Sequence, residues 1–182
     1  IGNMNVWVEG AWPGSCTAAD GSYMIYNLPL DVTYTIGTGG DWNWCDGPYG
    51  YVRAEQAVTL TAINPNPAGV NFSLVMGGTI SGRVVDQVTG LPIENIVVDF
   101  SVDDYGLGTC TNSNGEYTLI AIPVDVPVLV NAGDSDNWCG GSENYLEEIW
   151  QEKTDWDNAN LITLPSDNPD LTDIDFTLEI GG

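Results

Sequence analysis

The chain has 182 residues, 43% of them hydrophobic, so it is long enough for one or two packed domains. It carries 26 acidic residues against three basic ones and no histidine, for a formal net charge of -23. This charge excludes nucleic acid and anionic membranes as partners, because both would be repelled. The missing histidine removes the side chain most used for acid–base catalysis near neutral pH and for zinc binding.

The first half of the chain contains a pattern that returns in the second half. Residues 16–34, CTAADGSYMIYNLPLDVTY, align without a gap with residues 110–128, CTNSNGEYTLIAIPVDVPV. Upstream, Ile1 corresponds to Ile93; downstream, VNFSLVMGG at 70–78 matches IDFTLEIGG at 174–182, after a longer insert in the second copy. The pattern predicts a tandem duplication, with domains at residues 1–77 and 78–182.

Short β-strands are predicted in both copies, because apolar, β-branched segments alternate with Gly, Pro, Asn and Asp. In the second copy these are TISGRVVD, NIVVDFSV, GEYTLIAI, VPVLVNAG, NLITL and DIDFTLEI. Asn-Gly and Asp-Gly pairs in NSNGEY and AADGSY predict hairpin turns. In the last strand of the first copy, Val70, Phe72 and Leu74 are expected to face the core. The predicted fold class is all-β, with two tandem antiparallel β-sandwiches.

Two cysteines lie at matching places in each copy, 29 residues apart in both. The equal spacing, without a CxxC motif or a histidine, predicts the disulfides Cys16–Cys45 and Cys110–Cys139 rather than a metal site. Four reduced, buried thiols are the alternative. A disulfide closing a loop of this size adds about 3 to 4 kcal/mol of stability. Disulfides also favour an oxidising, extracellular location.

The sequence GGTISGRVVDQVTGLPIENIVVDFSV, followed by TCTNSNGEYTLIAIP, resembles the carboxypeptidase regulatory-like domain. Residues 79–182 carry nearly all of this pattern, and residues 1–75 carry it without its first part. The resemblance implies an immunoglobulin-like or prealbumin-like sandwich of the kind found in tandem in secreted bacterial proteins. It also implies a role as a spacer, an adhesive module or an assembly unit.

The first copy begins at the counterpart of Ile93 and therefore lacks the leading strand that GGTISGRVVDQVTGLP provides in the second copy. A sandwich without this strand exposes unpaired backbone groups and part of its apolar core. A strand from another subunit is one predicted occupant of the resulting groove. The alternatives are that the chain is a slice of a longer tandem array or that a disordered leader precedes it.

Acidic clusters give weak candidates for calcium binding, since calcium prefers oxygen ligands on loops. The candidates are Asp134, Asp136, Asp167, Asp170 and Asp173. None of them has the spacing of a helical calcium loop, and solvated turn aspartates are the alternative interpretation. No spacing singles out a catalytic pair of carboxylates. No cofactor is predicted.

Seven tryptophans are many for this length. Trp44 and Trp138 precede the second cysteine of each copy and are expected to pack on the disulfides. Trp12, Trp42 and Trp156 lie in turn-rich segments, where exposed rings could stack on sugars or form subunit contacts.

The sequence NFS at 71–73 is the chain's N-x-[ST] sequon. On the expected last strand of the first copy, Asn71 would point outwards and could accept a glycan. Chance occurrence is the alternative, and the second copy has Asp175 at this position.

These patterns predict a non-enzymatic, extracellular structural protein, a subunit or segment of a bacterial surface filament or stalk. Head-to-tail self-association is expected, with strand complementation of the first domain as one route. Calcium and glycans are further candidate partners, and membrane insertion is not expected because no run approaches the roughly 20 apolar residues of a bilayer span. The alternative function is a carbohydrate-binding or adhesin module of a secreted multidomain protein.

Overall fold

The structure, a computed structural model, describes residues 1–40, 42–103, 105–133, 138–141 and 144–181, and of residues 11–13 the backbone alone. Regular structure in these residues is β-strand, apart from a short 3-10 helix at Trp156–Asn158. The fold-class prediction, all-β, is confirmed. The chain divides into two compact units, Ile1–Met76 and Gly77–Gly182, called unit 1 and unit 2 below.

Unit 1 contains a four-stranded antiparallel sheet in the order β2-β1-β3-β4. Its strands are β1 (Asn5–Val8), β2 (Ala11–Cys16), β3 (Val32–Gly40) and β4 (Tyr51–Leu60). Val6, Val8 and Ile36 project from this sheet into a small buried core. The expected last strand of this domain is not formed, since residues 70–74 have no strand pairing.

Unit 2 contains two layers of strands. They are β5 (Gly78–Asp86), β6 (Val97–Val102), β7 (Tyr105–Cys110), β8 (Glu116–Ile122), β9 (Pro127–Ala132), β10 (Glu148–Ile149), β11 (Ile162–Thr163), β12 (Asp170–Leu171) and β13 (Phe176–Leu178). One layer has the antiparallel order β10-β9-β6-β7, with β11 also paired to β9. The other is built around β5, which pairs antiparallel with β8 and parallel with β12 and β13.

The core of unit 2 lies between these layers. Val98, Phe100 and Val130 come from the first layer and Ile80 and Val84 from the second, and all five side chains are 0% exposed. They belong to one continuous apolar cluster. Close packing of two amphipathic sheets therefore explains why this unit folds as a sandwich.

The two units share local structure at a buried threonine that follows the first cysteine of each copy. The Thr17 hydroxyl accepts a hydrogen bond from the N–H of Met4 at 2.9 Å and donates one to the carbonyl of Ile1 at 2.8 Å. Thr111 makes the same two bonds, at 2.9 and 2.8 Å, to the equivalent backbone groups of unit 2. A repeated sequence thus gives repeated geometry at the same place.

The longer insert of the second copy changes one strand. In unit 1, β4 is ten residues long and pairs with β3 along its length. In unit 2, its place beside β9 is taken by the two-residue strands β10 and β11. The two units still correspond at the end of this segment. The N–H of Asp31 donates to the carbonyl of Leu60, and the N–H of Asp125 donates to the carbonyl of Leu164, both at 2.7 Å.

Candidate functional site

The candidate site lies in unit 1. Its geometry is clearest from unit 2, where a β-strand occupies the equivalent position. There, β5 runs between two neighbours: Ile80 lies opposite Leu119 of antiparallel β8, and Val84 lies beside Phe176 of parallel β13. Ile80 and Val84 are fully buried. The strand β5 thus supplies both the backbone partners of its neighbours and a row of core side chains.

In unit 1 the sequence counterparts of β8 and β13 are residues 22–28 and 72–74, and no strand of the described chain lies between them. Neither segment is a β-strand. Among the described residues, the backbone of 23–28 makes no hydrogen bond, and the N–H groups of 70–74 make none. We call the space flanked by residues 22–28 and 70–75 the open groove. Its walls carry unpaired backbone groups of the kind that add a strand.

The floor of the open groove is apolar. Tyr23, Ile25, Leu28 and Phe72 pack against the small core of unit 1 but are only partly buried. Their counterparts in unit 2 are almost completely buried: Tyr117, Leu119, Ile122 and Phe176. The set that flanks β5 is thus buried, and the set without such a neighbouring strand is not.

A tyrosine joins the two walls in each unit. The Tyr23 hydroxyl donates to the carbonyl of Val70 at 2.7 Å, and the Tyr117 hydroxyl donates to that of Ile174 at 2.5 Å. Burial raises the pKa of both phenols, with the Asp175 carboxylate adding to the effect at Tyr117. Each phenol therefore keeps its proton and its bond, and the walls of unit 1 are tied together as they are around β5.

One end of the open groove offers a further backbone group. In unit 2, Val84 of β5 donates its N–H to Gly115 O at 2.8 Å and accepts from the N–H of Ile93 at 3.1 Å. The counterpart of Gly115 in unit 1 is Gly21, whose carbonyl has no backbone partner in the described chain. An incoming strand would thus find a matching acceptor.

The NWC tripeptide of unit 1 is fixed by contacts of each of its three residues. Cys45 is bonded to Cys16, with their Cα atoms 5.7 Å apart. Asn43 is buried, and its side chain accepts from the N–H of Cys45 at 3.0 Å and of Asn5 at 3.1 Å. The Trp44 ring lies against Gly14, two residues before the first cysteine, where no side chain would fit. All three residues of the tripeptide therefore hold one loop.

The second copy of the tripeptide repeats the described part of this arrangement. Cys110 is bonded to Cys139, with their Cα atoms 5.6 Å apart. The Trp138 ring lies against Gly108, the counterpart of Gly14, although this tryptophan is largely exposed. Asn137, the counterpart of Asn43, lies outside the described residues.

The calcium candidates are not brought together in the part of the chain that the structure describes, where no group of three acidic or other metal-ligating side chains occurs. The Asp170 carboxylate accepts from the Thr79 hydroxyl at 2.8 Å, and Asp173 accepts from Thr172 at 2.9 Å. Asp167 is exposed. Two further candidates lie outside the described residues, Asp134 and Asp136.

Two of the turn tryptophans are exposed, Trp42 by 63% and Trp156 by 52%. The Trp42 ring lies 5.3 Å from that of Trp44, at an angle of 56°. The side chain of Trp12 is outside the described residues. Asn71 is exposed between partly buried neighbours, so its side chain points away from the core.

Sequence reasoning missed a buried carboxyl group in unit 2. Glu148 of β10 accepts from the N–H groups of Thr177 at 3.1 Å and Glu152 at 3.2 Å and is 7% exposed. Burial raises its pKa to about 7, and the charge of Glu152 adds to this while the N–H donors oppose it. The pair Glu147–Glu148 in a polar insert gave no signal of burial.

The wall-joining tyrosines were also missed, although a signal existed. Both copies carry Gly-x-Tyr at the same place, in DGSY and NGEY. A tyrosine that recurs with its turn in a duplication indicates a hydroxyl with a partner, because buried tyrosines usually form a hydrogen bond.

The chain matches no protein-family model and no curated protein sequence. Solved structures that are similar to it include two Bacillus proteins. The TIE protein of Bacillus anthracis is 14% identical, over 98% of this chain and 31% of that one, with a TM-score of 0.37. The major pilin subunit of Bacillus cereus is 13% identical, over 85% of this chain and 40% of that one, with a TM-score of 0.34.

The chain therefore spans less than half of the length of either protein. Similarity at these TM-scores establishes neither the family nor the function of this chain. Among the described residues, no helix has the length and apolar character that crossing a membrane would need.

Proposed function

We propose that this chain is a non-enzymatic, extracellular structural protein, a subunit or segment of a bacterial surface filament or stalk. In this proposal, unit 1 accepts a β-strand from a neighbouring molecule in its open groove. The acceptor and the donor of such a contact use different surfaces, so its repetition without ring closure generates a linear or helical polymer.

The observation that carries the proposal is the contrast between the filled and the open position. In unit 2, Phe176 and Leu119 flank β5 and are at most 2% exposed, whereas Phe72 and Ile25 of unit 1 remain partly exposed beside unpaired backbone groups. Unpaired backbone groups beside an apolar strip are a template for strand addition. Filling it removes apolar surface from water and pairs the backbone groups.

Two other properties fit this role. One disulfide in each unit limits unfolding of the chain. The formal net charge of -23 disfavours unspecific lateral association, because like-charged surfaces repel.

Electron microscopy tests the proposal. Negatively stained native material, and the purified chain at rising concentration, should show filaments. Ile25→Asp places a charge on the floor of the open groove and should abolish them. Met24→Asp is the matched control, since Met24 is the adjacent residue and is 61% exposed.

Circular dichroism should first establish that both variants remain folded. Discrete, monodisperse particles in the native material would contradict the proposal. So would filaments that persist unchanged in the folded Ile25→Asp variant.

Exposed aromatic rings favour the second candidate function, a carbohydrate-binding or adhesin module. Trp42 is 63% exposed and lies beside Trp44, and such rings can stack on sugars. Sugar binding should quench tryptophan fluorescence in single molecules, and Trp42→Ala should remove the quenching. A filament protein would show no response to sugars.

A further inference from the structure

We propose that the open groove selects its occupant by sequence and direction. The occupant is a strand from a neighbouring molecule with the pattern apolar-x-Gly-x-apolar, as in residues 80–84 of β5. It runs antiparallel to residues 22–28 and parallel to residues 72–74. This inference rests on the proposed function and specifies the partner of the same site.

The direction follows from the pairing of β5. Ile80 and Arg83 lie opposite Leu119 and Glu116 in antiparallel register, while residues 84–86 run parallel to Phe176–Leu178. The two walls of the open groove are the sequence counterparts of these partners and are joined by the same tyrosine bond, at 2.7 Å in unit 1 and 2.5 Å in unit 2. A strand in the opposite direction would lose this register on both walls at once.

The central glycine follows from the same tyrosine bond. A Cβ atom on Gly82 would lie 1.9 Å from the carbonyl oxygen of Ile174, which accepts the hydrogen bond of Tyr117. The carbonyl of Val70 holds this position in unit 1 and is likewise fixed by Tyr23. Any side chain at this point of the occupant would collide with a backbone carbonyl that cannot easily move.

The apolar positions on either side follow from what they contact. Ile80 and Val84 are 0% exposed and belong to the core cluster that contains Leu119 and Phe176. In unit 1 the corresponding wall residues are Ile25 and Phe72, both apolar and only partly buried. Apolar side chains two residues before and after the glycine would therefore cover them, since alternate residues of a strand share a face.

The other face of the occupant is less restricted. Arg83, between the glycine and the second apolar residue, is exposed, and its Nε donates to the carbonyl of Asn114 at 2.7 Å. The counterpart of Asn114 in unit 1 is Asp20, in an exposed turn. Polar residues are thus compatible with the x positions.

Peptide binding tests the inference. The probe is a synthetic peptide with the sequence of residues 77–87, GGTISGRVVDQ, added to the disulfide-bonded chain of residues 1–182. The test peptide carries Gly82→Val. The control peptide carries Ser81→Val, which places the same side chain on the neighbouring position of the other face.

We expect one peptide per chain, with binding of the Gly82→Val peptide weaker by at least about tenfold and that of the Ser81→Val peptide changed by less than about threefold. Hydrogen exchange should slow in residues 22–28 and 70–74. It should not change in residues 116–122, which would respond if the peptide displaced β5 of unit 2.

A spin label at either end of the peptide reports its direction. With the N-terminal label, broadening should fall near Leu28, and with the C-terminal label near Ser22, as the register of β5 on β8 requires. The inference is overturned if the unmodified peptide does not bind, if Gly82→Val binds equally well, or if the labels report the reverse direction.

These results are distinct from those that decide the proposed function. Filaments together with an unselective peptide site would overturn the sequence rule and leave the polymer standing. Selective peptide binding in material that never forms filaments would support the sequence rule and overturn the proposed polymer.

Discussion

Unit 1 and unit 2 have closely related sequences but differ in one layer. The block GSYMIYNL forms no strand in unit 1, whereas its counterpart GEYTLIAI contains β8 in unit 2. Both blocks turn the same alternate positions towards the core, Tyr23 and Ile25 in unit 1 and Tyr117 and Leu119 in unit 2. The difference therefore comes from the presence of β5 beside one of them, because a strand is defined by its hydrogen-bonded partner as well as by its own residues.

The comparison also shows what does not depend on that partner. The threonine bonds at Thr17 and Thr111, the two disulfides and the tyrosine links between the walls are the same in both units. Unit 1 thus keeps the shape of the site while leaving it open. Four predictions test this contrast.

Core truncation should have the largest effect. Phe176→Ala should lower the free energy of unfolding of unit 2 by about 3 to 5 kcal/mol, because Phe176 is fully buried. Phe72→Ala should cost unit 1 about 1 to 2 kcal/mol, since the ring is only partly buried. Guanidinium denaturation followed by hydrogen exchange separates the two units. Equal costs would mean that the floor of the open groove is already as well covered as the core of unit 2.

Loss of a disulfide should lower the free energy of unfolding by a similar amount in both units. Replacing Cys16 and Cys45, or Cys110 and Cys139, by serine should cost about 3 to 4 kcal/mol, because each bond closes a loop of the same length. Unit 1 has the smaller core and should lose the larger share of its stability. Differential scanning calorimetry should show its transition shifted further. An equal shift in both transitions would contradict this.

Titration of Glu148 should affect unit 2 alone. Its pKa is about 7 when folded against an ordinary value of 4.5, so the folded state binds more protons between these values. The free energy of unfolding of unit 2 should therefore fall by about 1 to 3 kcal/mol as pH rises from 4.5 to 7, and change little through this group above or below that window. Denaturation at pH 4.5, 6 and 8 measures this.

The matched variant is Glu148→Gln, which should flatten that slope. The exposed Glu152→Gln gives the background, and it should remove only the small contribution of its own charge. A slope that is unchanged in Glu148→Gln would show that another carboxyl group is responsible.

Loss of the tyrosine link should have the smallest effect. Tyr117→Phe should cost about 1 to 2 kcal/mol, because it leaves the carbonyl of Ile174 unpaired beneath β5. Tyr23→Phe should cost about 0.5 kcal/mol or less, because the carbonyl of Val70 can then reach water. Thermal unfolding of both variants, with and without the peptide of residues 77–87, measures the two costs. Addition of the peptide should bring the two costs closer together.

The duplication explains how much could be predicted from the sequence. Alternation in TISGRVVD and VPVLVNAG gave β5 and β9, and the fold class followed from such segments. The same alternation wrongly predicted a strand at residues 70–74, where Phe72 faces the core but no partner strand is present. Periodicity reports which side of a segment is apolar. It does not report whether a partner strand is at hand.

Other features depend on contacts between segments distant in the sequence. The collision that keeps Gly82 a glycine involves Ile174 and a hydroxyl from Tyr117, three places that no local pattern connects. The buried carboxylate of Glu148 likewise accepts a hydrogen bond from Thr177 in another strand. Local composition could not indicate either of them.

The link between Tyr23 and Val70 has a consequence for the kinetics of the proposed strand addition. Because it sets the width of the open groove in advance, unit 1 is preorganised, and the entropy lost on association falls on the incoming segment. A short tether that raises the effective concentration of that segment would then increase occupancy without any new contact. Release, in turn, would require a whole row of backbone bonds to break together, which favours long residence times over fast exchange.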